Sequence, residues 1–129
     1  MKILAFSDLH LARARAADIV AASRSADLVI GAGDFCNMRK GVAEAMEMLS
    51  GIEKPFVMVP GNNESLEELQ MAAPKEAHVL HGQGIEIDGV TVFGIGGGIP
   101  VTPFGAWSWD LTEDEAEELL QGSFGADII

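Results

Sequence analysis

Short apolar runs that end in turn-forming residues recur along the chain at residues 2–6, 27–32, 55–59 and 90–95. Runs this short, closed by Gly, Pro or Ser-Asp, read as strands buried on both faces. Between the first two runs Ala16, Ile19, Val20 and Ser23 fall on one face at helical spacing. Between the second and third, Val42, Ala45, Met46 and Leu49 repeat at i, i+3, i+4 and i+7, with Gly51 placed as a left-handed stop. Alternation of strand and helix predicts a parallel sheet.

A third helix is predicted over residues 63–71, with Ser65 and Glu68 as a capping box and Pro74 just beyond its end. Residues 85–88 and 90–93 read as antiparallel strands joined at Gly89. A last helix opens on Thr112 and Glu115, has an acidic first turn that suits the helix dipole, and is expected to end at Gly122. Residues 126–129 start a further strand, whose apolar edge should be paired, covered or used to bind a second copy of the chain. The expected fold class is therefore α/β, a layered sandwich with a mainly parallel sheet flanked by helices. Residues 1–129 read as one domain, C-terminally incomplete because Asp127, Ile128 and Ile129 fall in mid-strand.

Composition supports a packed core: 48% of the 129 residues are apolar and 22% charged, enough to fold without disulfides or a structural metal. A formal charge of −12 opposes nonspecific binding to nucleic acid or an anionic membrane. All eight bases and ten of the acids lie in residues 1–75, while residues 76–129 carry ten acids and no base. A phosphate-bearing substrate therefore needs a local cation. Cys36 is the single cysteine, which fits a reducing compartment. With no signal-like N-terminal run and no long apolar segment, a cytoplasmic location without a membrane partner is expected.

The chemistry follows the strands. Strand one runs into Ser7, Asp8, Leu9 and His10, strand two into Gly33 and Asp34, and strand three into Pro60, Gly61, Asn62, Asn63 and Glu64. Ligands of open parallel sheets bind outside the carboxyl ends of the strands. Intervals of 26 residues from Asp8 to Asp34 and 28 from Asp34 to Asn62 are each close to one strand–helix repeat. Asp8 and His10, at i and i+2, point the same way in extended backbone. Carboxylate and imidazole together suit manganese, iron or zinc better than calcium or magnesium. Asp34 has two oxygens with which to bridge a cation pair, and Asn62 offers a neutral carbonyl oxygen to the second ion. Two cations about 3.5 to 4 Å apart supply a hydroxide nucleophile and clamp a phosphoryl group.

In order and interval, Asp8-Leu9-His10, Gly33-Asp34 and Gly61-Asn62-Asn63-Glu64 resemble the D-x-H, G-D and G-N-H-D/E motifs of the calcineurin-like metallophosphoesterases. Residues 92–98 are similar to that family's central strand and glycine turn. The resemblance implies hydrolysis of a phosphomonoester or phosphodiester at a dinuclear centre. Asp8 and His10 would bind the first metal, Asp34 would bridge, and Asn62 would bind the second. Manganese is the expected ion, with iron, zinc or nickel as alternatives. Asn63 stands where the family has a histidine thought to contact the leaving group or phosphate. An amide donates a hydrogen bond but delivers no proton, so a general-acid contribution of order 10² to 10⁴ is missing and good leaving groups are favoured. The family's later histidine ligands have no counterpart up to Ile129, which leaves the second site incomplete. The alternative reading is a degenerate or truncated member, a metal-binding or protein-interaction scaffold without turnover.

The remaining candidates have simpler readings. His78 and His81, beside Gly82 and Gly84, read as turn or surface residues. Gly96, Gly97 and Gly98 precede Pro100 and Pro103 rather than a helix, so they are no dinucleotide loop. Trp107 and Trp109 are expected to pack their own loop, with stacking on an aromatic leaving group as the alternative. Cys36 reads as a small buried residue. Asn62 has a competing reading as the N-cap of the third helix, Asn63 as cap or substrate contact. The acidic stretch 110–118 reads as a solvated helix face.

Overall fold

The computed structural model describes residues 1–129. Strands β1 (Ile3–Phe6), β2 (Leu28–Ala32), β3 (Phe56–Val59) and β4 (His78–Val79) form one parallel sheet in that order. Helices α1 (Arg13–Ser23), α2 (Val42–Met48) and α3 (Leu66–Ala72) make the crossovers. Strands β5 (Gln83–Ile87) and β6 (Val90–Gly94) form an antiparallel hairpin, followed by α4 (Glu113–Leu119) and a 3₁₀ turn at Leu120–Ser123. The α/β architecture with a mainly parallel sheet is thus the one the apolar pattern implies.

Two apolar layers explain that pattern. On one face of the sheet Val29, Phe56 and Met58 pack with Ala16, Val42, Ala45, Met46, Leu49 and Leu69 from the helices. On the other, Leu28 and Val57 pack with Leu80 and Val92 beneath the hairpin. β2 and β3 are therefore buried on both faces, and each large apolar side chain there contributes about 1.5 to 3 kcal/mol. β1 departs from the expectation of two covered faces: Leu4 and Phe6 are half-buried, Ile3 and Ala5 exposed. The hairpin core draws on β2 and β3 and stops short of β1.

Several boundaries also differ. β4 carries no apolar run and was invisible to pattern; His78 and Val79 form it by pairing with Val57 and Met58, so His78 is a strand residue rather than a turn. Ser65 caps α3 by accepting from the Glu68 N–H at 3.1 Å, but the Glu68 side chain pairs with Arg39 instead of closing the capping box. Thr112 and Glu115 do form the complete box on α4. Gly51 and Gly122 are not left-handed stops; Leu49 caps α2, and Gly122 lies within the 3₁₀ turn. The C-terminal segment pairs with β6: Ile128 bridges Val92, the Phe93 N–H donates to the Ile128 carbonyl at 2.9 Å, and Ile129 remains 72% exposed. No helix is long and apolar enough to cross a membrane.

Candidate metal centre

The parallel register sets Phe6 beside Gly31 and Ala32 beside Val59, so the turns leaving the first three strands lie next to one another. Backbone bonds continue the pairing past the strands: the Asp8, His10 and Leu11 N–H groups donate to the carbonyls of Gly33, Asp34 and Phe35 at 3.1, 3.1 and 3.0 Å. The chain here is not extended. Asp8, His10, Leu11 and Asp34 all have positive φ, from 46° to 59°, a left-handed conformation that costs a non-glycine residue of order 1 to 3 kcal/mol. The simple i, i+2 alternation thus does not operate, yet the turn brings the side chains together. Ligand atoms of Asp8, His10 and Asp34 all lie within 4.8 Å of one another. His10 Nε2 is 3.4 Å from Asp8 Oδ1 and 3.9 Å from Asp34 Oδ2.

These separations suit a divalent ion. Oxygen and nitrogen ligands at about 2.0 to 2.2 Å from a tetrahedral or octahedral centre lie roughly 3 to 3.5 Å apart, so only slight contraction is needed. His10 is also correctly polarised: Nδ1 lies 3.0 Å from the Cys36 carbonyl, which can only accept, so Nδ1 carries the hydrogen and Nε2 keeps its lone pair facing the carboxylates. Burial pulls the imidazole pKa down, but the Cys36 carbonyl and the charges of Asp34 and Asp8 outweigh it and hold it above the ordinary value. Asp8 is held by Ser7, whose hydroxyl donates to Oδ2 at 2.6 Å, and Asp34 Oδ1 accepts from the Asn63 N–H at 3.1 Å. The Asp8 side chain is 64% exposed and that of Asp34 19%, so the cluster opens to solvent on the Asp8 side.

Glu64, quoted in the third motif but given no task by sequence reasoning, organises the site. It is fully buried, with one carboxylate oxygen accepting from Asp34 N and Gly61 N at 2.8 and 2.7 Å. The other accepts from Phe35 N and Cys36 N at 2.7 and 3.3 Å. A buried carboxylate is tolerated only when its lone pairs are met this way. Glu64 thereby ties the turn after β2 to the turn after β3. The two turns meet at Gly33 and Gly61, where a Cβ on Gly33 would stand 2.5 Å from the Gly61 nitrogen and one on Gly61 would collide with the Asp34 carboxylate.

Asn62 and Asn63 are not helix caps, since Ser65 takes that position. Asn63 is buried; its Oδ1 accepts from the Met38 N–H at 2.8 Å and its Nδ2 donates to Asn62 Oδ1 at 3.2 Å. Asn62 Nδ2 donates to Ser108 Oγ at 2.8 Å. Beyond them, the Arg39 side chain pairs with Glu68 and donates to the Trp107 carbonyl at 3.5 Å. Trp107 stacks on Phe104, with ring centres 6.1 Å apart, and Trp109 leans on His81 at 5.2 Å. His81 is half-buried and accepts from the Gly96 N–H at Nδ1, and burial lowers its pKa. Neither His81 nor His78 reaches the cluster. Burial acts to raise the Asp110 pKa, yet hydrogen bonds from Ser108 and Thr102 prevail and hold it below the ordinary range.

Comparison with known proteins points the same way. No curated protein sequence matches the chain. Its fold is similar to the crystal structure of TT1561 of Thermus thermophilus, with a TM-score of 0.74 at 21% identity, covering 92% of this chain and 59% of that one. A second solved structure superposes with a TM-score of 0.71 at 16% identity over 92% of this chain. The chain thus spans 59% and 62% of the lengths of these two neighbours. Residues 1–101, which contain every member of the Asp8, His10 and Asp34 cluster together with Asn62 and Glu64, match the calcineurin-like phosphoesterase superfamily domain. The chain belongs to that family of metal-dependent phosphoesterases.

Proposed function

We propose that this protein hydrolyses a phosphomonoester or phosphodiester at a centre of two divalent ions, with manganese the expected metal. The observation that carries this reading is the cluster itself: two carboxylates converge on an imidazole whose Nε2 is left free by the Nδ1 contact to Cys36. A bound metal pair supplies Lewis acidity toward the phosphoryl oxygens and an activated water.

The chain's own residues do the rest. Asp8 and His10 hold the first ion, Asp34 offers an oxygen to each ion, and Asn62 turns its Oδ1 to the second. Arg39 is engaged with Glu68 and so is not free to neutralise a phosphate. In a chain of charge −12, the substrate's negative charge must be met by the metals. Asn63 has its amide oxygen on Met38 and its nitrogen on Asn62. It positions its neighbours and cannot protonate a leaving oxygen, so esters of acidic alcohols such as phenols are the favoured substrates. The single buried Cys36 fits a cytoplasmic setting.

Manganese-dependent hydrolysis of bis-p-nitrophenyl phosphate by the 129-residue chain, with Asp34→Asn as the matched control, tests this reading. Activity that requires the metal and vanishes in the variant supports it. Folded wild-type protein as inert as the variant would overturn it in favour of a metal-binding scaffold without turnover.

A further inference from the structure

Asn62 is tied through its side-chain nitrogen to the segment that follows the glycine turn. Nδ2 donates to Ser108 Oγ at 2.8 Å, and the Ser108 hydroxyl donates to Asp110 Oδ1 at 2.7 Å. The other Asp110 oxygen accepts from the Thr102 N–H and hydroxyl at 2.9 and 2.8 Å. Backbone contacts clamp the same place, since the Trp109 N–H donates to the Asn62 carbonyl at 2.9 Å and the Leu111 N–H to the Gly98 carbonyl at 2.8 Å. A Cβ on Gly98 would strike the Asp110 carboxylate and stand 3.3 Å from Asn62 Cβ, so the segment is seated directly against Asn62.

This network has a direction. An ionised carboxylate only accepts, so Asp110 obliges the Ser108 hydroxyl to point its one hydrogen away from Asn62. Ser108 then presents an oxygen lone pair to the amide, and only the NH₂ end of Asn62 satisfies it. On the far side Met38 N donates to Asn63 Oδ1, which turns Asn63 Nδ2 toward Asn62 Oδ1 at 3.2 Å. Flipping the Asn62 amide would set oxygen against oxygen at Ser108 and nitrogen against nitrogen at Asn63. Both flanks therefore select one orientation, with the oxygen on the Asn63 side.

We propose that Ser108 and Asp110 are positioning residues that hold the Asn62 carbonyl oxygen toward the second cation. The inference rests on the reading of Asn62 as a ligand of that ion. Asn62 is the ligand most in need of such help: it is neutral, only one of its two terminal atoms can bind a cation, and in the wrong orientation it presents hydrogens. A carboxylate has no wrong end, which is why Asp8 and Asp34 need no equivalent network.

The test is calorimetric titration of Mn²⁺ into the full chain as wild type, Ser108→Ala and Asp110→Asn, with circular dichroism as the folding control. Two ions are expected per wild-type chain. Both substitutions should weaken the weaker site by about 10- to 100-fold, the usual cost of removing a hydrogen-bonding partner of a metal ligand, and leave the tighter site unchanged. Asp110→Asn keeps the shape of the loop and carries the comparison if Ser108→Ala does not fold. Two ions in the wild type with the weaker site intact in the folded variants would overturn the positioning role alone. A single ion in the wild type would overturn the assignment of Asn62 as a ligand, and the inference with it.

Discussion

Glu64 holds Asp34 by the backbone rather than by the side chain: a carboxylate oxygen accepts the Asp34 N–H at 2.8 Å and leaves the Asp34 carboxylate free to face His10. The same oxygen accepts the Gly61 N–H at 2.7 Å, so one buried acid sets the distance between two turns that carry metal ligands. Replacing it by glutamine puts an amide NH₂ against backbone donors. Glu64→Gln should cost about 3 kcal/mol in urea unfolding, since hydrogen bonds to a charged group are lost and buried donors stranded. A change within about 0.5 kcal/mol, the range of ordinary surface substitutions, would remove Glu64 from this role.

Gly61 is the second point on which the site closes. Its added Cβ would meet the Asp34 carboxylate and the Asp34 nitrogen. Gly61→Ala should therefore lower stability by about 2 kcal/mol through overpacking and reduce Mn²⁺ affinity in the same protein. Wild-type affinity, measured calorimetrically, would mean that the two turns separate freely.

Cys36 is buried beneath the cluster, with its thiol donating to the Asn63 carbonyl at 3.1 Å. Burial, reinforced by the charges of Glu64 and Glu68, pushes its pKa up to about 12. Thiolate is the reactive form. At pH 8 the native protein should thus react with a disulfide reagent at least roughly a hundredfold more slowly than the urea-unfolded chain. Equal rates would show that the thiol is reached without unfolding.

Arg39 and Glu68 join the loop after β2 to helix α3, both side chains being about two-thirds buried. The hydrogen bond from Arg39 chiefly, against the opposing effect of burial, holds the Glu68 carboxyl below its ordinary value of 4.5. A depressed acid binds its proton more weakly folded than unfolded. Its contribution to stability is therefore complete above pH 4.5 and is lost as pH falls through the lower folded value. Glu68→Gln should lower the urea midpoint at pH 7, and the difference from wild type should shrink on acidification below that range. A pH-independent difference would assign the effect of the substitution to packing.

Much of this was legible from local pattern. Apolar runs placed β1, β2, β3 and β6, because strands buried in a sheet have no polar face to show. The helix spacing of Val42, Ala45, Met46 and Leu49 survived as a buried face of α2 and its cap. By contrast β4 is two residues long and exists because β3 offers a free edge. The exposed Ile3 and Ala5 reflect where the hairpin stops, which the β1 sequence does not encode.

Order and spacing alone determined that Asp8, His10, Asp34 and the Asn62–Glu64 segment follow successive strands. Parallel connections put every carboxyl end on one side of the sheet, and convergence then follows from topology. Tertiary structure decided what each residue does once there. The left-handed turns that aim Asp8 and His10, the capture of Asp34 by Glu64 30 positions away, and the contact of Asn62 with Ser108 46 positions away depend on partners brought together by folding. Hydrogen-bond direction is set by which donor meets which acceptor in space, and no local periodicity carries that information.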